Sequence, residues 1–337
     1  MSQLSGRQSL RDIQSNLESQ EHKLYHLGAK PIPRSTLARL NEKQPAEFYE
    51  ALFYKLLHRC KNGPGSHKFR FKNPLYSLDA SAINLSLKLF PWAAHRPDTC
   101  NVKLSVGLNH GTHVPEFVAL SDGNENDMVK GREFRFPKGS IIAFDKGYVD
   151  YGWYKSLTDN GVFFVTRLRP NSIYQVLERK DCDKSRGITS DQIIQLNSAH
   201  ALKRGAPRLR RVGYYDKETC KHYVFITNHF GLSAATIAAI YKDRWRIEIF
   251  FKTIKQNLQI KAFVGTSRNA VLSQIWIAMI TYLLVAFARH IAREGWSVQR
   301  IMRVLQLNLF DRRSLKDILN PEPDRHKKSE PQMRFAL

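Results

Sequence analysis

Ser140-Ile141-Ile142-Ala143-Phe144 is a continuous apolar run that stops at an acid, Asp145. A strand that is apolar on both of its faces must be covered on both sides, which is the setting of a central strand in an α/β sheet. The turn Asp145-Lys146-Gly147-Tyr148 leads into a predicted helix at 151–158, and Val162 to Val165 reads as another buried strand. The theme is repeated upstream. In LYSLDASAINL, Leu75 and Leu78 lead into Asp79, so a short apolar run again presents a carboxylate at its end. Between the two acids, Val102, Leu104, Val106 and Leu108 alternate strictly, which predicts a half-buried strand. Residues 113–120 suggest its hairpin partner across the turn Asn109-His110-Gly111-Thr112, and 124–133 a short helix.

Ser233 to Leu258 (SAATIAAIYKDRWRIEIFFKTIKQNL) has no Gly or Pro and opens with a Ser suited to cap a helix. At about 100° per residue, Tyr241, Arg244, Glu248 and Lys255 fall within an arc of roughly 60°, with Lys252 at its edge. Ile240, Ile247, Phe250, Phe251, Ile254 and Leu258 form an adjacent apolar stripe that can dock on a core. By periodicity alone this is equally an amphipathic helix with ion pairs Arg244–Glu248 and Glu248–Lys252.

The formal net charge of +23 and a pI near 10.0 are spread along the chain, which argues for a broad polyanion-binding surface. Cys60, Cys100, Cys182 and Cys220 are far apart without a C-x-x-C pair, which excludes a zinc ribbon and suggests reduced thiols in the cytosol. Ala270 to Ala288 is long enough to span a bilayer, but it contains Ser273, Gln274 and Thr281. It is read as a buried core helix, with no membrane partner.

Tyr241, Arg244, Glu248 and Lys255 reproduce the Y-R-E-K signature, with its spacing of two, three and six intervening residues. The chain therefore resembles DDE transposases of the insertion sequence family four type, over roughly Gly6 to Asn308, with LDASAI and IIAFDKGY as its other specific motifs. The order strand–acid, hairpin, helix, strand–acid, helix, strand, followed by the Glu248 helix, is that of an RNase H-like (retroviral-integrase-like) core. The expected fold is α/β, with a β-rich insertion and flanking helices.

The divisions that follow are 1–73, a basic helical DNA-binding region; 74–166 and 229–310, the two parts of the catalytic core; 167–228, the insertion; and 311–337, a polar tail. Within the insertion, 172–176, 210–215 and 221–227 read as strands, the last two joined by the turn Asp216-Lys217-Glu218-Thr219. Related transposases often carry here a tryptophan that stacks on a flipped base. This chain has no Trp between Trp153 and Trp245, so a Tyr or Phe would have to serve. The opening reads as the inside of a family domain, and the resemblance leads us to expect further helical residues ahead of it.

The resemblance implies that Asp79, Asp145 and Glu248 are catalytic and ligate Mg²⁺ or Mn²⁺, as two ions, since carboxylates are hard oxygen donors. Tyr241, Arg244, Lys252 and Lys255 would bind DNA phosphates. The implied reaction is cut-and-paste transposition, with strand cleavage at element ends and strand transfer into target DNA. Double-stranded DNA is the partner, with a homodimer assembled on it in a prokaryotic, nucleoid-associated cytoplasmic setting. The alternatives are an RNase H-like metal-dependent nuclease and a catalytically dead DNA-binding remnant. His110 and His113 could ligate a metal but read as solvated turn residues, and Asp122, Asp127 and Asp150 as caps or turns. Arg34, Arg39 and Lys43 touch phosphate or line a solvated helix face.

Overall fold

The computed structural model describes residues 2–6, 9–60, 67–258, 260, 262–292 and 295–320. The Gly63-Pro64-Gly65 punctuation and the tail beyond 320 lie outside the described residues. The chain opens with helices α1 (Ser2–Ser5), α2 (Leu10–Ser19), α3 (Glu21–Leu24), α4 (Arg34–Lys43) and α5 (Ala46–Cys60). Arg34, Arg39 and Lys43 all lie exposed on α4. Strands β1 (Leu75–Asn84), β2 (Ala94–Arg96), β3 (Thr99–Asn109) and β4 (Pro115–Asp122) follow. Next come α6 (Asp127–Glu133), β5 (Ile141–Phe144), α7 (Tyr151–Asp159) and β6 (Phe163–Arg167). The three-residue β2 intervenes, so Asp145 follows the fifth strand.

The next segment contains β7 (Tyr174–Lys180), β8 (Ile188–Leu196), α8 (Ala199–Lys203), β9 (Leu209–Asp216) and β10 (Lys221–Thr227). Of these, β8 and α8 were not anticipated. The chain then enters α9 (Ala234–Asp243), α10 (Trp245–Asn257), α11 (Arg268–Ala288), α12 (Val298–Leu307) and α13 (Leu315–Leu319).

All ten strands form one sheet in the order β2-β3-β1-β5-β6-β10-β9-β8-β7, with β4 also on β3. β1 is antiparallel to β3 and parallel to β5, and β5 is parallel to β6. β4-β3-β1-β5-β6 is thus the RNase H-like arrangement, and β10 adds to it antiparallel on β6. Alternation sorts the side chains between two faces. Tyr76, Leu78, Ile142 and Phe144 join the core with Trp153 and Tyr154 of α7. Leu75, Ile141, Ala143 and Val165 join the core with Ile237 and Ile240 of α9. β3 was expected to be half buried, yet Ser105 and Gly107 are buried along with the apolar series, with the Phe117 side chain of β4 lying against Gly107.

α11 is covered by α5, α10 and α12 and buries Ile275 and Met279 completely. It is long and apolar enough to cross a membrane, but 67% of its most apolar stretch is buried within the fold, as a core helix requires. The Asn269 side chain fastens its start, accepting from the Ala46 amide and donating to the Gln44 carbonyl.

Candidate active site

The register Leu78↔Phe144 between parallel strands makes Asp79 and Asp145 the next residues on neighbouring strands. Asp79 shares the parity of Leu75 and Ser77, and Asp145 that of Ile141 and Ala143, so both carboxylates project toward α9 and α10. β1 does not end at its acid as expected. It continues to Asn84, paired with β3, whereas β5 stops at Phe144. Asp79 therefore sits where β1 loses its neighbour on the β5 side, and α10 packs against β1.

The expected single helix from Ser233 to Leu258 is two helices, with a joint at Arg244. Ser233 caps α9 as predicted, accepting from the Thr236 amide. At the joint, Arg244 N bonds Tyr241 O and Ile247 N bonds Arg244 O, both tighter three-residue steps. Trp245 is 61% exposed beside the joint. Arg244 projects between the acids, 2.7 Å from Glu248 and 3.4 Å from Asp79. The Tyr241 hydroxyl donates to Asp145 at 3.1 Å, and the Arg244 guanidinium lies 5.6 Å from the Tyr241 ring centre. Every one of the three acids is thus joined to Tyr241 or Arg244.

Burial pushes the Asp79 carboxyl up to about 6. The Ala80 amide and Arg244 oppose the rise, while the charges of Asp145 and Glu248 reinforce it. Burial also raises Asp145, but the Lys146 amide, the Tyr241 hydroxyl, Arg244 and Arg167 together hold it below the usual carboxylate range. The neighbouring acids accordingly differ in proton affinity. The Tyr241 phenol is raised to about 12, first by burial, so it stays a donor at neutral pH.

Behind the acids lies a buried polar chain that sequence reasoning missed. His110 is fully buried, which overturns its reading as a solvated turn residue. Its Nε2 lies 2.6 Å from the Ser77 hydroxyl and its Nδ1 2.7 Å from the Asp243 carboxylate. Asp243 also takes Lys68 at 2.7 Å and Arg246 at 2.9 Å, and these partners hold its carboxyl well below the usual range despite its burial. Burial leads in pushing His110 below the ordinary imidazole value. His113 is not a solvated turn residue either. It has φ 58°, receives Arg246 at 3.2 Å, and is lowered to about 4 by burial, then Arg289 and Arg246. Among the described residues, neither histidine stands in a group able to hold a metal.

Lys252 is exposed on α10, while the Lys255 ammonium donates to the Ala82 carbonyl of β1 at 2.6 Å. Asp150 caps α7 through the Trp153 amide and pairs with Arg132; Asp122 pairs with Arg268 and Asp127 with Lys103. Asp150 is thus the cap that was expected, whereas Asp122 and Asp127 hold partners distant in the chain.

Among the described residues, no three His, Cys, Asp or Glu side chains are close enough as placed to hold one ion; Arg244 bridges two of the acids. The donor chemistry nevertheless fits a hard divalent cation. Asp79, Asp145 and Glu248 offer only oxygens, and their mutual repulsion helps to raise Asp79.

Residues 71–284 match the family described as "Transposase DDE domain", and residues 1–30 match a domain of unknown function (DUF4372). A protein of Sinorhizobium fredii named as a transposase, y4zB, is 31% identical over 95% of this chain and 89% of its own length. One of Geobacillus stearothermophilus, named as a transposase for insertion sequence element IS5377, is 26% identical over 75% of this chain and 67% of its own. A solved piggyBac transposase synaptic complex with hairpin DNA aligns with 88% of this chain and 63% of its own, with TM-score 0.45 and 14% identity.

Proposed function

The chain belongs to the DDE-domain transposases, and on that premise we propose that Asp79, Asp145 and Glu248 are its catalytic carboxylates and metal ligands. Its function is DNA transposition by strand cleavage and strand transfer. The family uses divalent metal ions. The observation that carries the assignment is the register Leu78↔Phe144, which sets Asp79 beside Asp145 under a helix whose Arg244 reaches both Asp79 and Glu248.

When bound, a pair of Mg²⁺ or Mn²⁺ ions would activate water or a 3′-hydroxyl and stabilise the leaving oxygen. Asp145, held ionised, would be one of their ligands, with Asp79 and Glu248 the others. Tyr241 fixes the Asp145 carboxylate by its hydrogen bond. Arg244 offsets carboxylate charge and, with Lys252, would grip phosphate beside the scissile bond. Lys255 would hold α10 against β1 while its charge faces the same phosphates.

We read 74–166 and 229–310 as catalytic core, 167–228 as insertion, 1–73 as DNA-binding and the residues from 311 as tail. The chain would work in the bacterial cytoplasm, on nucleoid DNA and without a membrane partner, as a homodimer assembled on element ends. The test uses labelled element ends and target DNA with Mg²⁺. Alanine at Asp79, Asp145 or Glu248 is expected to abolish cleavage and joining while leaving DNA affinity within about threefold, since phosphate contacts supply affinity. Retained cleavage in one variant removes that residue from the site, and cleavage without joining in the unaltered chain makes it a nuclease.

A further inference from the structure

A cavity of about 740 Å³ opens between β6, β9, β10 and the start of β7. Lys146, Arg167, Arg169, Arg211 and Lys221 line it, and among the described residues no acid does. None of these five forms a salt bridge with a described acid, whereas Lys242 nearby is matched by Asp216 and Glu218. Positive charge gathered in a concavity without counter-charge recruits a polyanion. Two of the guanidiniums are braced on tyrosines: Arg211 lies 5.4 Å from the Tyr174 ring centre and Arg167 5.7 Å from that of Tyr223.

The groove also runs into the acids. Lys146 and Arg169 continue from it into a neighbouring cavity of about 620 Å³ that contains Asp145 and Tyr151. On its other side, Arg167 is shared with a cavity lined by Tyr241, Arg244 and Glu248. The path therefore touches the site from two sides.

We propose that this groove holds an unpaired DNA strand leading away from the phosphate at Asp145, with arginines and lysines on its backbone and tyrosines among its bases. A basic track with interleaved aromatic rings is the recognition chemistry of single strands; a duplex hides its base faces and offers phosphates alone. The proposal rests on the catalytic reading of Asp145 for the strand's direction, and its test is run without catalysis.

The full chain, in chelator, is titrated against a labelled blunt duplex and against the same duplex bearing an unpaired tail. Arg169→Glu and Lys221→Glu are used because both side chains are exposed. The unaltered chain is expected to bind the tailed probe more tightly. Each variant should lose about tenfold on it and less than threefold on the blunt duplex, with the salt slope on the tailed probe shallower by roughly 0.7 per lost contact. Equal losses on both probes would assign the groove to duplex DNA, and unchanged binding would leave it without a DNA role. Displacement of the tail by polyglutamate of equal charge would assign it to an acidic peptide. Each of these results overturns the proposal. Tail preference in a chain that never cleaves DNA would refute the catalytic reading and keep the groove.

Discussion

Asp243 and His110, 133 positions apart in the chain, meet at 2.7 Å with both side chains shut off from water. Asp243 is also the last residue of α9, immediately before the arginine that reaches the acids. A buried carboxylate with three cationic or hydrogen-bonding partners fixes where that helix ends.

Asp243→Asn should therefore cost about 3 kcal/mol of stability, as removing one member of a buried charged group does. Ser77→Ala should cost about 1–2 kcal/mol through an imidazole nitrogen left unpaired. The pH dependence has a definite sign. The unfolded His110 takes up a proton that the folded one resists, and the depressed Asp243 stabilises only while ionised, so both lose stability as pH falls. The loss should begin near the ordinary imidazole value of about 6.5. Urea unfolding across pH 4.5–8 checks this, and His110→Gln should flatten the upper part of the curve. Parallel curves for the two proteins would mean that the chain of bonds is energetically idle.

Asp79 should weaken the metal-free fold as pH rises. Its folded value of about 6 lies above the unfolded one, so between pH of about 4 and 6 the unfolded state ionises first and stability falls. Asp79→Asn removes that penalty. In chelator the variant should gain on the unaltered protein through this window, by about 1–2 kcal/mol at pH 7 once its lost contact with Arg244 is allowed for. Thermal melts at pH 4.5 and 7.5 measure the difference, and a gap that stays constant with pH would contradict it.

The two lysines of α10 should separate cleanly. Lys255→Ala loses a bond to the β1 backbone and should cost about 1–2 kcal/mol. Lys252→Ala, on the exposed face, should change stability by less than about 0.5 kcal/mol. It should instead reduce the salt slope of DNA binding by about one, the mark of a single phosphate contact. An unchanged slope for Lys252→Ala would remove that lysine from the DNA surface.

Asp79 and Asp145 were legible as acids that meet apolar runs, and Glu248 as part of a charged face at helical spacing whose role came from the Y-R-E-K resemblance. What local pattern cannot carry is a partner far along the chain. His110 in a turn sequence looks solvated until Asp243 and Ser77 close around it. β8 escaped notice because buried Asp191 and Gln192 break its apolar pattern, and Asp191 is buried only because Arg210 of β9 pairs with it at 2.6 Å. The joint at Arg244 was hidden for the same reason, since no Gly or Pro announces it.

The continuity of the sheet limits how this chain can be shortened. β10 hydrogen-bonds directly to β6, and Asn228 ties the Phe164 amide and the Val162 carbonyl. Excising the whole segment between β6 and α9 would leave a core strand with a bare row of backbone donors and acceptors, a template for edge-to-edge aggregation. The far margin is different. β7 ends the sheet with exposed Glu178 and Arg179, charges that discourage another strand from adding. The sheet thus tolerates an end at β7, whereas loss of β10 would bare β6.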